Sequence, residues 1–149
     1  MLIEEYEISS ETYAIIPENK KTSKIISSAE TIIMDKSVRE VLRYNCRYYG
    51  SSLTGRIEAS KYALGMKYKL PIIVEETREL IFFPTNAVET NRCSWISLNN
   101  ILKYEKCEDK SKIIFSNGLE IILNISFSSL ENQIFRAMQL LLILKKRKS

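Results

Sequence analysis

The sequence predicts an α+β fold built from antiparallel β-sheet, a basic helical hairpin inserted near residues 37–64, and a C-terminal α-helix. Three observations carry this expectation. Short β-branched and aromatic runs broken by polar turns occupy residues 3–34 and 70–124. Between them lie two stretches of helical periodicity, each closed by a glycine, Gly50 and Gly65. The last 24 residues, 126–149, open on serines and contain neither glycine nor proline, while their apolar residues follow a helical stripe.

Taken in order, residues 3–8, 12–16 and 24–34 predict two or three antiparallel strands, separated by Ser9-Ser10-Glu11 and Pro17-Glu18-Asn19. Ser37-Val38-Arg39-Glu40 then has the form of a capping box and starts a helix over 38–49. At about 100° per residue, Val38, Leu42, Asn45 and Tyr49 share a narrow arc flanked by Val41, Tyr48 and Cys46. Arg39, Arg43 and Arg47 share the opposite arc, so the spacing predicts Tyr48 and Tyr49 in the core and the arginines outside. After Ser51-Ser52 a second helix runs to about residue 64, and two helices joined through a glycine turn resemble a helix-turn-helix. Strands are expected over 70–74, 80–83, 94–97, 101–106, 112–116 and 119–124, with Trp95 as a packing anchor. Asn117-Gly118 predicts a type I′ hairpin, whose two central residues both need positive φ. Ser128-Ser129-Leu130-Glu131 predicts the cap of the final helix, with Leu130, Ile134, Ala137, Met138 and Leu141 on one stripe. Residues 140–144 are apolar all round, so this turn is expected to be covered by the sheet, another subunit or residues outside this chain.

Composition narrows the function. With 149 residues, 45% apolar and 27% charged, and only 4 Gly and 3 Pro, the chain reads as one compact globular domain, residues 1–149. It has no histidine, which excludes a Ser/His/Asp triad, a His general base and a His-ligated metal within it, and no catalytic or metal site is expected. Cys46, Cys93 and Cys107 are odd in number and form no CxxC pair, which fits a reducing cytoplasm and buried thiols, with Cys107 in a polar turn the one open to oxidation. The acidic start, with Glu4, Glu5 and Glu7, does not read as a secretory signal, and no apolar run approaches the roughly 20 residues needed to span a bilayer; neither a membrane nor a cofactor is expected.

Charge is segregated. Residues 36–69 hold eight bases against two acids, a net of +6; Lys145-Lys146-Arg147-Lys148 adds +4; the formal total of +4 therefore leaves −6 for the rest. Such asymmetry is the footprint of a protein that meets a polyanion, nucleic acid ahead of membrane because no lipidation motif accompanies it.

The stretch Cys46-Arg47-Tyr48-Tyr49-Gly50-Ser51-Ser52-Leu53-Thr54-Gly55-Arg56 resembles the signature of the ComK family, competence transcription factors of low-GC Gram-positive bacteria. Further matches follow in order: Pro71-Ile72-Ile73-Val74, Phe83-Pro84-Thr85, Cys93-Ser94-Trp95-Ile96-Ser97, Phe115-Ser116-Asn117-Gly118, Ile125-Ser126, Ser129, Glu131-Asn132-Gln133 and Arg136. The resemblance implies a non-enzymatic activator of DNA-uptake genes that recognises AT-rich double-stranded DNA, mainly through the minor groove, as a homodimer or dimer of dimers that bends its site. It also implies RNA polymerase and a Clp protease adaptor as partners. Longer members continue past the final helix, so a second reading is a short paralogue that modulates a full-length regulator or engages the proteolytic adaptor.

The candidate DNA-binding residues are Arg39, Arg43, Arg47, Ser51, Ser52, Arg56, Lys61, Lys67 and Lys69. The three helix-α arginines are placed on phosphates or in a groove by their shared arc, Lys67 and Lys69 on the phosphate backbone. Arg56 projects near the apolar side of its helix, and Gly55 is read as permitting close approach to a phosphate.

Overall fold

The computed structural model describes residues 5–86 and 92–149. Strands β1 (Thr12–Pro17), β2 (Ser23–Ser27) and β3 (Thr31–Met34) precede helices α1 (Val38–Tyr48) and α2 (Leu53–Leu64). Strands β4 (Ile72–Glu75), β5 (Leu80–Pro84), β6 (Trp95–Ser97), β7 (Ile101–Cys107), β8 (Lys110–Phe115) and β9 (Glu120–Leu123) follow, and α3 (Phe127–Arg147) closes the fold. Six strands form one antiparallel sheet in the order β3-β2-β1-β6-β5-β4; β7-β8-β9 form a second, antiparallel and three-stranded. The α+β class and the inserted helical hairpin are as the sequence predicts.

Both faces of the large sheet are buried. Ile15, Ile25, Ile72, Phe82 and Trp95 pack against Val41, Leu42 and Cys46 of α1. Ala14, Ile26, Ile73, Phe83 and Ile96 point the other way, onto Phe115 of the small sheet and Ile134 and Ala137 of α3. Because strand side chains alternate between faces, burying both faces makes residues 72–74 of β4 and 80–84 of β5 read as unbroken apolar runs. The sheet thus separates a layer holding α1 from a layer holding α3 and the small sheet, and α2 packs on α1, β4 and α3.

Four local expectations are corrected. The described part of the expected first strand, Glu5 to Ile8, is not a strand, because side chains of α1 and of its C-cap take its backbone bonds: Ile8 N donates to Asn45 Oδ1 (2.7 Å), Asn45 Nδ2 donates to Tyr6 O (2.9 Å), and Tyr49 Oη donates to Ile8 O (2.5 Å). The rest of that expected strand lies outside the described residues. The span 24–34 is a hairpin of β2 and β3 rather than one strand. The β8–β9 hairpin forms, but not through a type I′ turn: Gly118 has φ +91 whereas Asn117 does not have positive φ, and Phe115 N bonds Leu119 O. Three residues, 116–118, close the loop, and Gly118 N returns to Phe115 O as in a type I turn followed by a left-handed glycine. Helix α3 starts earlier than expected, because Ser126 rather than Ser128 accepts the capping bond from Ser129 N.

Candidate nucleic-acid interface

Helix α1 is presented by its cap. Ser37 Oγ accepts from Glu40 N and Glu40 Oε1 accepts from Ser37 N, both close to 3 Å, so the capping box is complete. Those Ser37 bonds, first among the causes, hold the Glu40 carboxyl below the usual carboxylate range. With Val38, Val41, Leu42, Asn45 and Cys46 buried, Arg39, Arg43 and Arg47 are left exposed, as their arc predicts. They do not share one concavity, however. Arg39 lines a cleft of about 770 Å³ together with Lys61 from α2, Lys67 and Lys69 from the following segment, and Arg136 from α3. Buried Leu70 and Trp95, with half-buried Ile57, supply its apolar lining, and among the described residues no carboxylate lines it. Arg43 and Arg47 line a separate groove of about 350 Å³ with Lys36, where Glu5 and Glu40 offset their charge.

The segment carrying Lys67 and Lys69 is held by its backbone. Buried Gln133 donates from Nε2 to Lys69 O (3.0 Å) and Pro84 O (2.8 Å), and its Oε1 accepts from Arg136 Nη1 (3.0 Å). Arg136 Nη1 also reaches Tyr68 O at 3.5 Å. Lys69 adopts φ +51, a left-handed conformation that a non-glycine residue adopts uncommonly. Arg136 is the cleft residue that the charge reading missed. Its signal is in the sequence: Gln133 and Arg136 are polar residues beside the buried stripe of Ile134, Ala137 and Leu140, and such placement calls for a specific partner.

Two candidates, Ser52 and Arg56, have side chains engaged within the chain itself. Ser52 caps α2 by accepting from Gly55 N at 3.0 Å, and a Cβ on Gly55 would sit 2.9 Å from that hydroxyl. Helix capping therefore accounts for Gly55 without a phosphate. Ser51 is half-buried and its N–H bonds Cys46 O. Arg56, with a side chain only 17% exposed, is ion-paired to Glu76 at 2.9 Å.

These pieces acquire a common origin from comparison with known families, where the family described as "ComK protein" matches residues 3–149. The chain belongs to the ComK family. It is 32% identical over 138 residues to the competence transcription factor of Bacillus subtilis (strain 168), an alignment spanning 90% of this chain and 72% of that protein. No solved structure matches. In this ComK chain the signature over 46–56 is chiefly a folded corner. Cys46 is buried, which pushes its thiol up to about 11 even though the nearby Arg56 charge pulls it down. Gly50 takes φ +88 at the bend between the helices, where a Cβ would be strained. Tyr49 docks on Ile8 and stacks under the Arg78 guanidinium at 5.1 Å, as a core-facing residue should. Tyr48 corrects the expectation of burial: it is 56% exposed and rests on Tyr44 one turn earlier, because Tyr49 occupies the inward place at the helix end. Among the described residues no helix is long and apolar enough to cross a membrane.

Proposed function

We propose that this chain is a cytoplasmic regulator of competence genes, a single DNA-binding domain that engages AT-rich duplex through the cleft between α1, α2 and α3. The observation that carries the reading is the convergence of Arg39, Lys61, Lys67, Lys69 and Arg136, from four separate parts of the sequence, with no carboxylate among them. Uncompensated cations in a concavity with low-dielectric walls focus positive potential, which is what a phosphate strand requires. Arg43 and Arg47 extend the contact along α1, while Ser51, Ser52 and Arg56 act indirectly by building the corner that presents it. Family membership and the name of the bacillar relative support the regulatory role; the AT-rich minor-groove target and the homo-oligomeric state are what the family resemblance implies.

The test is a titration onto AT-rich and GC-rich duplexes across a range of salt. Neutralising four to five phosphates predicts a slope of log affinity against log salt near −4 per protomer, from roughly −0.9 for each phosphate. Trp95, the only tryptophan, lines the cleft and provides the signal through its fluorescence. Equal weak binding to both duplexes, or a slope shallower than about −1, refutes the reading.

One observation favours a second reading, a module that binds a protein partner: a groove of about 730 Å³ between β7 and α3 carries exposed Leu102, Met138 and Leu142. Binding to a full-length regulator with no affinity for DNA is the result that selects it.

A further inference from the structure

The tip that carries Lys67 and Lys69 also carries Tyr68, whose ring stands between the two ammonium groups in sequence and is 75% exposed. An exposed tyrosine offers a flat ring with an apolar body and a polar tip, the kind of surface enriched at interfaces. Tyr48 rests on Tyr44 and Tyr49, and Tyr62 lies under the Arg147 guanidinium at 5.5 Å. Among the described residues Tyr68 alone of these three has no stacked partner. A loose tip does not account for this, since Gln133 holds the Lys69 carbonyl and Arg136 the Tyr68 carbonyl. The backbone is clamped from behind and the ring is left projecting.

Dimensions decide which element of this protein can enter which groove. An α-helix with its side chains is about 10–12 Å across, and the minor groove of B-DNA is about 6 Å wide. Helix α1 with its arginines therefore cannot enter an undistorted minor groove and remains over the flanking phosphates. A non-helical tip with one flat ring and a flexible ammonium group on either side has the right profile. We infer that Tyr68 is the residue that enters the minor groove and discriminates A·T from G·C, with Lys67 and Lys69 neutralising phosphates on its two sides. This rests on the DNA-binding reading above and adds to it the residue that selects the sequence. The discrimination is steric. In the minor groove G·C differs from A·T by the guanine N2 amino group, which stands where the ring must lie. AT-rich sequence also contains the TA steps that unstack most easily when a side chain is wedged against them.

Three duplexes test this: an AT-rich site, its G·C counterpart, and a version with inosine·cytosine pairs, which keeps the minor-groove edge of A·T and the major-groove edge of G·C. Wild-type protein should bind the AT-rich and inosine duplexes alike and the G·C duplex at least about 10-fold more weakly. Tyr68→Ala should lose affinity for the first two by roughly 10-fold, within the range that an aromatic–base contact supplies, and lose its preference. Its salt slope and melting temperature should be unchanged, because the cations remain and the ring is exposed. Tyr68→Phe should restore the preference. Retention of the full preference by Tyr68→Ala overturns the inference, as does wild-type binding to the inosine duplex as weak as to G·C, which would place readout in the major groove. Absence of salt-dependent binding by wild type to any of the three overturns the DNA-binding reading itself, a result distinguishable from both.

Discussion

Asn45→Leu removes one side chain that ties the amino-terminal segment to α1. Leucine keeps the branching and the number of side-chain heavy atoms, though its methyl ends are bulkier, and it suits a position whose helical neighbours are apolar, so the lost hydrogen bonds are the main variable. In the native structure Asn45 is fully buried and makes three bonds, accepting from Ile8 N and donating to Tyr6 O and Val41 O. Val41 O keeps its place in the helix ladder. Ile8 N, on a residue of zero exposure and outside any strand, loses its partner altogether, and Tyr6 O loses its donor in a half-buried site. An orphaned buried amide costs about 1–3 kcal/mol and the half-buried carbonyl less, so the sum is about 3 kcal/mol. For a domain of this size that corresponds to a fall of about 9 °C in melting temperature, at roughly 2–4 °C per kcal/mol. Thermal unfolding followed by circular dichroism measures it, and native-state hydrogen exchange at Ile8 should show protection lost well beyond that of the sheet. Tyr49→Phe removes the bond to Ile8 O in the same segment, so the two substitutions should be less than additive. A melting temperature within about 3 °C of wild type would refute the reasoning, showing that the segment contributes little to the fold.

Four further outcomes are expected. Gly55→Ala should displace the Ser52 hydroxyl and cost about 1 kcal/mol of stability in a denaturant titration while leaving DNA affinity unchanged, since the glycine serves the α2 cap. Arg56→Gln should lower stability by about 1 kcal/mol yet leave DNA affinity within about twofold, whereas Lys61→Ala should do the reverse, read by melting and by anisotropy on labelled duplex. Ellman's reagent at pH 8 should titrate one thiol, Cys107, in the native protein and three after denaturation, because Cys46 and Cys93 are buried and the Cys46 thiol lies up at about 11. The Glu75 carboxyl is set at about 2, since hydrogen bonds from Thr77 and Arg78 outweigh the opposing effect of burial; its folded-state value is below the unfolded 4.5, so its contribution is complete above pH 4.5 and disappears as pH falls toward 2. Glu75→Gln should accordingly destabilise by on the order of 1 kcal/mol at neutral pH and match wild type near pH 2.

What the sequence disclosed and what it hid follow a physical line. Local rules sufficed wherever the backbone was satisfied locally: the Ser37 capping box, the turn at Gly50 and the strands from β4 to β9 stand within a residue or two of expectation. They failed where a side chain distant in sequence took over the backbone's bonds. Asn45 lies 37 residues from Ile8, and that contact is why an apolar, β-branched opening is no strand. The same distinction separates Arg39 from Arg43 and Arg47. Periodicity places all three on one face of α1, but only the arrival of Arg136 from α3 and the tip from 66–70 defines which end of that face borders a cleft. Arg56 shows the converse, a cation inside the recognisable motif that folding commits to Glu76.

The charge arithmetic changes meaning once it is laid out in space. Along the chain there are two basic regions, +6 over 36–69 and +4 at the carboxyl end. The second does not stand free. Lys145 pairs with Glu79 at 2.5 Å, Lys148 bonds Glu76, and Arg147 stacks on Tyr62. The acids that absorb this tail, Glu76 and Glu79, lie between β4 and β5, and Glu76 also receives Arg56. None of the five cations of the cleft has a carboxylate in ion-pair range among the described residues. The acidic excess elsewhere therefore offsets part of the tail's charge, through Lys145 and Lys148, and on the proposed reading it also makes the rest of the surface less attractive to a polyanion than the cleft. Lys148→Ala should consequently leave the salt slope of DNA binding at its wild-type value, while Lys69→Ala should reduce its magnitude by about one. Equal reductions from both would show that the tail is a second DNA contact and that its ion pairs open when duplex arrives.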